Sequence, residues 1–220
     1  MNIMIKKMAQ TVSAETLPQL VECEINGKTR HSDTLTDPRD GKTYRTVRIL
    51  NKIWMAENLD YEMGNSWYYK NNCGYGSEYG RLYDLETAVK ISPPGWHLPT
   101  NREWRVMINA LGGNRIAGKK LKSKTGWVGD SVDFHDYCRG DFNDNYNGTD
   151  DYGFSALPGG FRDEKGRFTG VGLHGCWWSA AKKDSDKAVY SWEIGRWDGV
   201  DLFRDAKSSY AFSVRCVRAA

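Results

Sequence analysis

The clearest apolar pattern lies in residues 100–113. Trp104, Met107, Ile108 and Leu111 recur at i, i+3, i+4 and i+7, which is one face of a helix. Thr100 precedes them as an N-cap, and Glu103 three residues later completes a capping box. Gly112-Gly113 ends the element. A second helix is predicted over 82–90, stopped by Pro93-Pro94-Gly95, and a short third over 115–122. Upstream, residues 43–50 alternate, with Val47 and Ile49 on one face. Asn51-Lys52 then turns the chain into Ile53-Trp54-Met55, a β-hairpin signal. Residues 125–172 are loop-rich, with many Gly, Asn and Asp. Short strands are predicted over 176–180, 188–194, 199–204 and 211–218. Ala188, Tyr190, Trp192 and Ile194 share a face, as do Phe212, Val214 and Cys216.

Two early helices, a long loop region and a closing antiparallel set describe an α+β domain. Residues 1–33 lack sustained periodicity, apart from a short strand over 21–25. Thr36-Asp37-Pro38-Arg39-Asp40-Gly41 is dense in turn formers and marks a boundary. The organisation read here is an arm or linker over 1–36 and one domain over 37–220, without internal repeats or low-complexity tracts. A chain of 220 residues is long enough for one well-buried core.

Charge narrows the function classes. The 31 basic and 28 acidic residues leave a net charge of +3. Their basic pairs (Lys6-Lys7, Lys119-Lys120, Lys182-Lys183) read as solvated surface, so nucleic acid is not an expected partner. No apolar run approaches the roughly 20 residues of a membrane span. Residues 1–14 open like a signal peptide with Lys6 and Lys7, but no apolar stretch follows at Met8-Ala9-Gln10-Thr11. The five cysteines (Cys23, Cys73, Cys138, Cys176, Cys216) form no CxxC pair, which disfavours zinc and thioredoxin-type chemistry. Nine Trp and twelve Tyr in a chain of mean hydropathy −0.67 exceed what a core alone calls for. Tyr and Trp supply rigid amphipathic contact area, which suits recognition surfaces.

Six ordered motifs over residues 37–218 carry a family likeness. They are the run 41–59 ending Trp54-Met55-Ala56-Glu57-Asn58-Leu59, the run 79–84, Pro94-Gly95-Trp96-His97-Leu98-Pro99-Thr100 with Glu103-Trp104, the run 148–160, Trp177-Trp178-Ser179, and Phe212-Ser213-Val214-Arg215-Cys216-Val217. Together they resemble the Fibrobacter succinogenes major paralogous domain. That family is similar to the formylglycine-generating enzymes and to the variable proteins of diversity-generating retroelements. The resemblance implies a C-type lectin-like fold, two helices with short twisted antiparallel sheets and long loops, and recognition through the C-terminal region. Members often carry a cysteine just before Pro-Gly-Trp, where this chain has Ser92-Pro93. The usual partner of Cys216 is then missing, and no disulfide is assigned to it.

Four candidate sites follow. Asp141, Asn143, Asn145 and Asn147 place oxygens at alternate positions ahead of Gly148, a pattern that suits Ca²⁺. The competing reading is a loop whose Asn and Asp side chains cap their own backbone. His97 is a candidate general base, against a structural histidine beneath the helix N-terminus. Cys176 and Cys216 are candidate redox residues, against simple packing. The fourth site spans 181–204. Trp192 and Trp197 are its expected anchors, with Tyr190, Glu193, Arg196, Asp198, Asp201, Phe203 and Arg204 around them. Aromatic anchors ringed by adaptable polar groups describe a recognition surface; the competing reading buries one face of each strand.

The expected function is a binding module for a protein or glycan, displayed on a bacterial surface or a phage particle, with no catalysis and no obligatory cofactor. The alternatives are a structural subunit docked into other subunits by the N-terminal arm, and an oxidase related to the formylglycine-generating enzymes.

Overall fold

The structure, a computed structural model, describes residues 21–25, 28–128, 145–180, 190–195, 197–204 and 206–220, with backbone alone before residue 33. The chain starts as a meander: β1 (Val21–Ile25), β2 (Lys28–Thr36), β3 (Thr43–Ile49) and β4 (Lys52–Met55). Each pairs antiparallel with the next. Residues 28–36, expected in an arm, thus continue the sheet that β3 and β4 begin. Val47 and Ile49 face the core, as the alternation requires.

The helix predicted over 82–90 is divided. Leu82 and Tyr83 form β6 (Leu82–Tyr83), which pairs with β5 (Ser66–Trp67). Between them lies the one-turn α1 (Gly76–Tyr79). Asp84 then caps α2 (Leu85–Ala88), its Oδ1 accepting from the Thr87 amide at 2.9 Å. The cap marks a start that periodicity alone does not reveal.

The next helix, α3 (Asn101–Ala110), forms as predicted. The Thr100 amide donates to Glu103 Oε2 at 2.9 Å, and the Glu103 amide donates to Thr100 Oγ1 at 3.2 Å. Trp104, Met107, Ile108 and Leu111 are all buried. The short helix follows as α4 (Ala117–Leu121).

The second half builds a second five-stranded sheet. Its strands are β7 (Gly159–Arg162), β8 (Phe168–Val171), β9 (His174–Ser179), β10 (Tyr190–Gly195) and β11 (Val200–Arg204). Their order is β11-β10-β9-β7-β8, antiparallel except for a parallel contact of β7 with β9. The strand expected over 211–218 reduces to β12 (Val217–Ala219), which pairs with β4. Upstream of it, Ala211 bridges Arg162, Phe212 bridges Tyr83, and Ser213 bridges Trp177. This stretch crosses between sheets and meets a new partner at almost every residue, so no ladder builds up.

One core lies along α3, where Trp104 meets the rings of Trp54, Phe154, Trp177 and Trp192 at centroid distances of 5.1, 6.0, 6.2 and 6.1 Å. A second lies on the other face of β9 and holds Cys176, Trp178, Phe212, Val214 and Cys216. Arg215 is fully buried between them. It stacks on Phe154 and donates to Asn58 Oδ1 at 2.8 Å, to the Ser155 carbonyl at 2.8 Å and to the Phe154 carbonyl. Burial pushes its guanidinium down to about 9. The architecture is α+β, with mostly sheet and few helices.

Candidate functional site

The β10–β11 hairpin carries the residues expected to bind, and strand alternation sorts them. Tyr190, Trp192 and Ile194 point inward. Trp192, expected as an exposed anchor, is 1% exposed, packs on Trp104, and donates its indole N–H to Asn101 Oδ1 at 3.0 Å. Tyr190 is likewise buried, and its hydroxyl accepts from Arg204 at 3.1 Å. The physical reason is that α3 covers this face of the sheet, so the shared apolar face is core. Asp201, Phe203 and Arg204 are exposed on β11. Glu193 is half-buried and pairs with His174 Nδ1. Arg196 and residues 181–189 lie outside the described residues.

Trp197 behaves differently. It is 53% exposed at the hairpin tip, and the Tyr146 ring stands edge-on to it at 6.3 Å. The tip is held from beneath by α4. The Val200 amide donates to the Asn114 carbonyl at 2.8 Å. Gly118 lets the Asp198 carbonyl approach so closely that a Cβ there would lie 2.5 Å from its oxygen. Lys122 is completely buried below, donating to the Tyr146 carbonyl at 2.7 Å and the Trp197 carbonyl at 3.4 Å, and facing Asp198 Oδ1 at 3.5 Å. Burial pushes its ammonium down to about 8, against the pull of Asp198. Sequence reasoning missed Lys122, Gly118 and Asn114. Nothing in the sequence separates Lys122 from its neighbours Lys119 and Lys120. Those two, read as solvated surface, donate to the carbonyls of Asn147 and Leu111.

Beside the hairpin is a depression of about 300 Å³, into which Glu193, Phe203, Arg204, Phe161 and Tyr210 face. Cys176 lies at its wall, its thiol pushed far up by burial and by the neighbouring Glu193. Cys216 sits apart, 3.4 Å from Ser92 Oγ, with its thiol pushed up to about 12 by burial. Cys73 is exposed.

In the candidate calcium loop, Asp141 and Asn143 lie outside the described residues. Asn145 Oδ1 accepts from the Asn147 amide at 3.1 Å, and Asn147 Oδ1 from the Trp127 amide at 2.9 Å. Asp150 accepts from the amide and hydroxyl of Ser155. Among the described residues no three His, Cys, Asp or Glu side chains gather as a metal site. His97 Nε2 lies 3.0 Å from Glu103 Oε1, and Lys52 adds an ion pair at 2.8 Å. Burial would raise the Glu103 carboxyl, but hydrogen bonds from Lys52, the Thr100 amide and His97 outweigh it and hold it at about 2. His97 therefore braces the capping box.

The fold is thus an α+β domain of two packed sheets, with an exposed Trp197 on a hairpin whose described tip residues contact α4 and its flanking residues Asn114 and Lys122. Residues 47–218 match the Fibrobacter succinogenes major domain, and the chain belongs to that family. Neither a curated protein nor a solved structure matches it. No helix among the described residues is long and apolar enough to cross a membrane.

Proposed function

We propose that this chain is a recognition module of C-type lectin-like fold that binds a protein or glycan through the β10–β11 hairpin and turns over no substrate. Its setting is a bacterial surface or a phage particle, as the family likeness implies. The observation that carries the reading is the pinned Trp197: an indole 53% exposed on a backbone fastened to Asn114, Gly118 and Lys122. A free tip would lose conformational entropy on binding; a preorganised one loses little. Asp198, Asp201, Phe203 and Arg204 supply the polar and aromatic rim. The oxidase alternative is disfavoured at Cys176 and Cys216, whose thiols burial pushes up and so holds protonated. No cofactor enters the proposal, because the described Asn and Asp oxygens of the candidate calcium loop already serve backbone and hydroxyl donors.

The test is a glycan array together with a binding assay on intact bacterial cells, run with the native chain and Trp197→Ala. Loss of about 2 kcal/mol, roughly 30-fold in affinity, with an unchanged thermal midpoint is expected. A variant that binds as the native chain does, or one that unfolds, would overturn the assignment. A second reading, docking into other subunits through the N-terminal arm, is favoured by β1. Among the described residues its outer edge pairs with no strand, and open edges accept added strands.

A further inference from the structure

Trp192 and Ile194 of β10 point toward α3, so Glu193 points to the opposite face of the sheet, into the depression beside the hairpin. The register pairs Ser191 with Phe203 and Glu193 with Asp201, so these four residues share that face. Phe203 is 48% exposed and forms part of the rim. Tyr210 is a second lining ring, backed by Phe161 at 6.1 Å and Phe212 at 5.8 Å. The Glu193 side chain is 20% exposed and is held in place by His174. His174 and the Cys176 thiol engage two of the roughly four lone-pair sites of its carboxylate, and the others can accept from a ligand. Like charges directly across a strand pair cost stability, yet Glu193 stands across from Asp201. The polar lining carries both signs. Arg204, bonded to the Tyr190 hydroxyl, and Lys207, paired with Glu164, line the same depression as Glu193.

We infer that this depression binds a neutral pyranose sugar, as a subsite separate from the Trp197 tip. The inference rests on the reading of the hairpin as a recognition element. A pyranose has an apolar C–H face and an edge of hydroxyls. The C–H face fits an exposed aromatic ring such as Phe203, and the hydroxyls donate to Glu193 and exchange hydrogen bonds with the Tyr210 hydroxyl. A lining of both signs selects no single charge, which suits a neutral ligand. An apolar side chain of a protein partner would take water from the Glu193 carboxylate and return no hydrogen bond, which costs free energy. A volume of about 300 Å³ is at the small end for ligand pockets and suits one sugar ring. Three residue pairs of the hairpin lie between Phe203 and the turn, so subsite and tip are separable by mutation.

The experiment titrates the full chain with the methyl glycosides of glucose, galactose, mannose, rhamnose and N-acetylglucosamine and reads binding by saturation-transfer NMR. At least one should bind, with the C–H protons of one ring face receiving most of the saturation. Phe203→Leu keeps an apolar side chain but removes the ring, and should weaken binding about tenfold. Phe203→Trp should retain it. Both variants should keep the native thermal midpoint, because the side chain is half exposed. Trp197→Ala should bind the glycoside within about twofold of the native chain. Absence of binding to every glycoside would overturn the inference, as would equal affinity in Phe203→Leu and the native chain. The methyl glycoside of glucosamine or of glucuronic acid, bound clearly more tightly than any neutral sugar, would give the site a preference for charge and overturn it too. Loss of sugar binding in Trp197→Ala but not in Phe203→Leu would move the sugar to the tip. Trp197-dependent binding to cells with no glycoside bound would remove this subsite and leave the reading of the hairpin standing.

Discussion

Trp104→Ala removes the side chain around which one core is assembled. The indole is completely buried, and it meets Trp54, Phe154, Trp177 and Trp192 in tilted, edge-on and stacked pairs. Truncating a buried Trp to Ala costs about 3–5 kcal/mol through lost transfer energy and the cavity left behind. Aromatic pairs are worth about 0.5–1.5 kcal/mol each beyond their area. With four such pairs around one ring, the expected loss is at the upper end, about 5 kcal/mol. A domain of this kind holds about 5–15 kcal/mol in all, so the variant keeps only a narrow margin. Urea unfolding followed by circular dichroism reads the change. With a slope of about 2–3 kcal/mol per molar, the midpoint should fall by roughly 2 M at unchanged slope. Trp104→Phe keeps an aromatic ring and discards an indole N–H that has no hydrogen-bond partner among the described residues. It should cost clearly less. A loss below about 2 kcal/mol for Trp104→Ala, or one no greater than that of the exposed Trp197→Ala, would refute the account of the core.

Acid should weaken the α3 capping box. The folded Glu103 carboxyl, at about 2 against an ordinary 4.5, contributes stability that is complete above pH 4.5 and lost as pH falls toward 2. In Glu103→Gln, a loss on the order of 3 kcal/mol should be present at pH 7 and shrink below pH 4.5, as read by denaturant midpoints across pH. Ser92→Cys should form a disulfide with Cys216, since the two side chains already lie 3.4 Å apart. The bridge should raise stability by about 2–4 kcal/mol under oxidising conditions alone, and a free-thiol count unchanged by oxidation would dismiss it. The thermal midpoint should be the same in millimolar Ca²⁺ and in chelator. A rise with Ca²⁺ would mean that the native loop binds the ion.

The helix α3 was legible because its signals are local: the apolar face, the cap and the terminating glycines all act within one stretch of chain. The hairpin of β3 and β4 was legible for the same reason. The aromatic hairpin was only half legible. Period-two alternation puts Trp192 and Ile194 on one face, but whether that face meets water depends on α3, which is remote in sequence. Lys122 shows the limit most clearly. In sequence it is one lysine among three on a short helix, and its burial arises only where the 145–151 loop and the hairpin tip close over it. The end of the chain reads as one apolar strand, yet it threads between two sheets and forms a ladder only at β12. What the sequence determined by itself is the family, the α+β class and the locally signalled elements, because caps, turns and periodicity are properties of neighbouring residues. What the tertiary structure decided is which aromatics are core, which line a depression and which lysine is buried, because burial is set by elements distant in sequence.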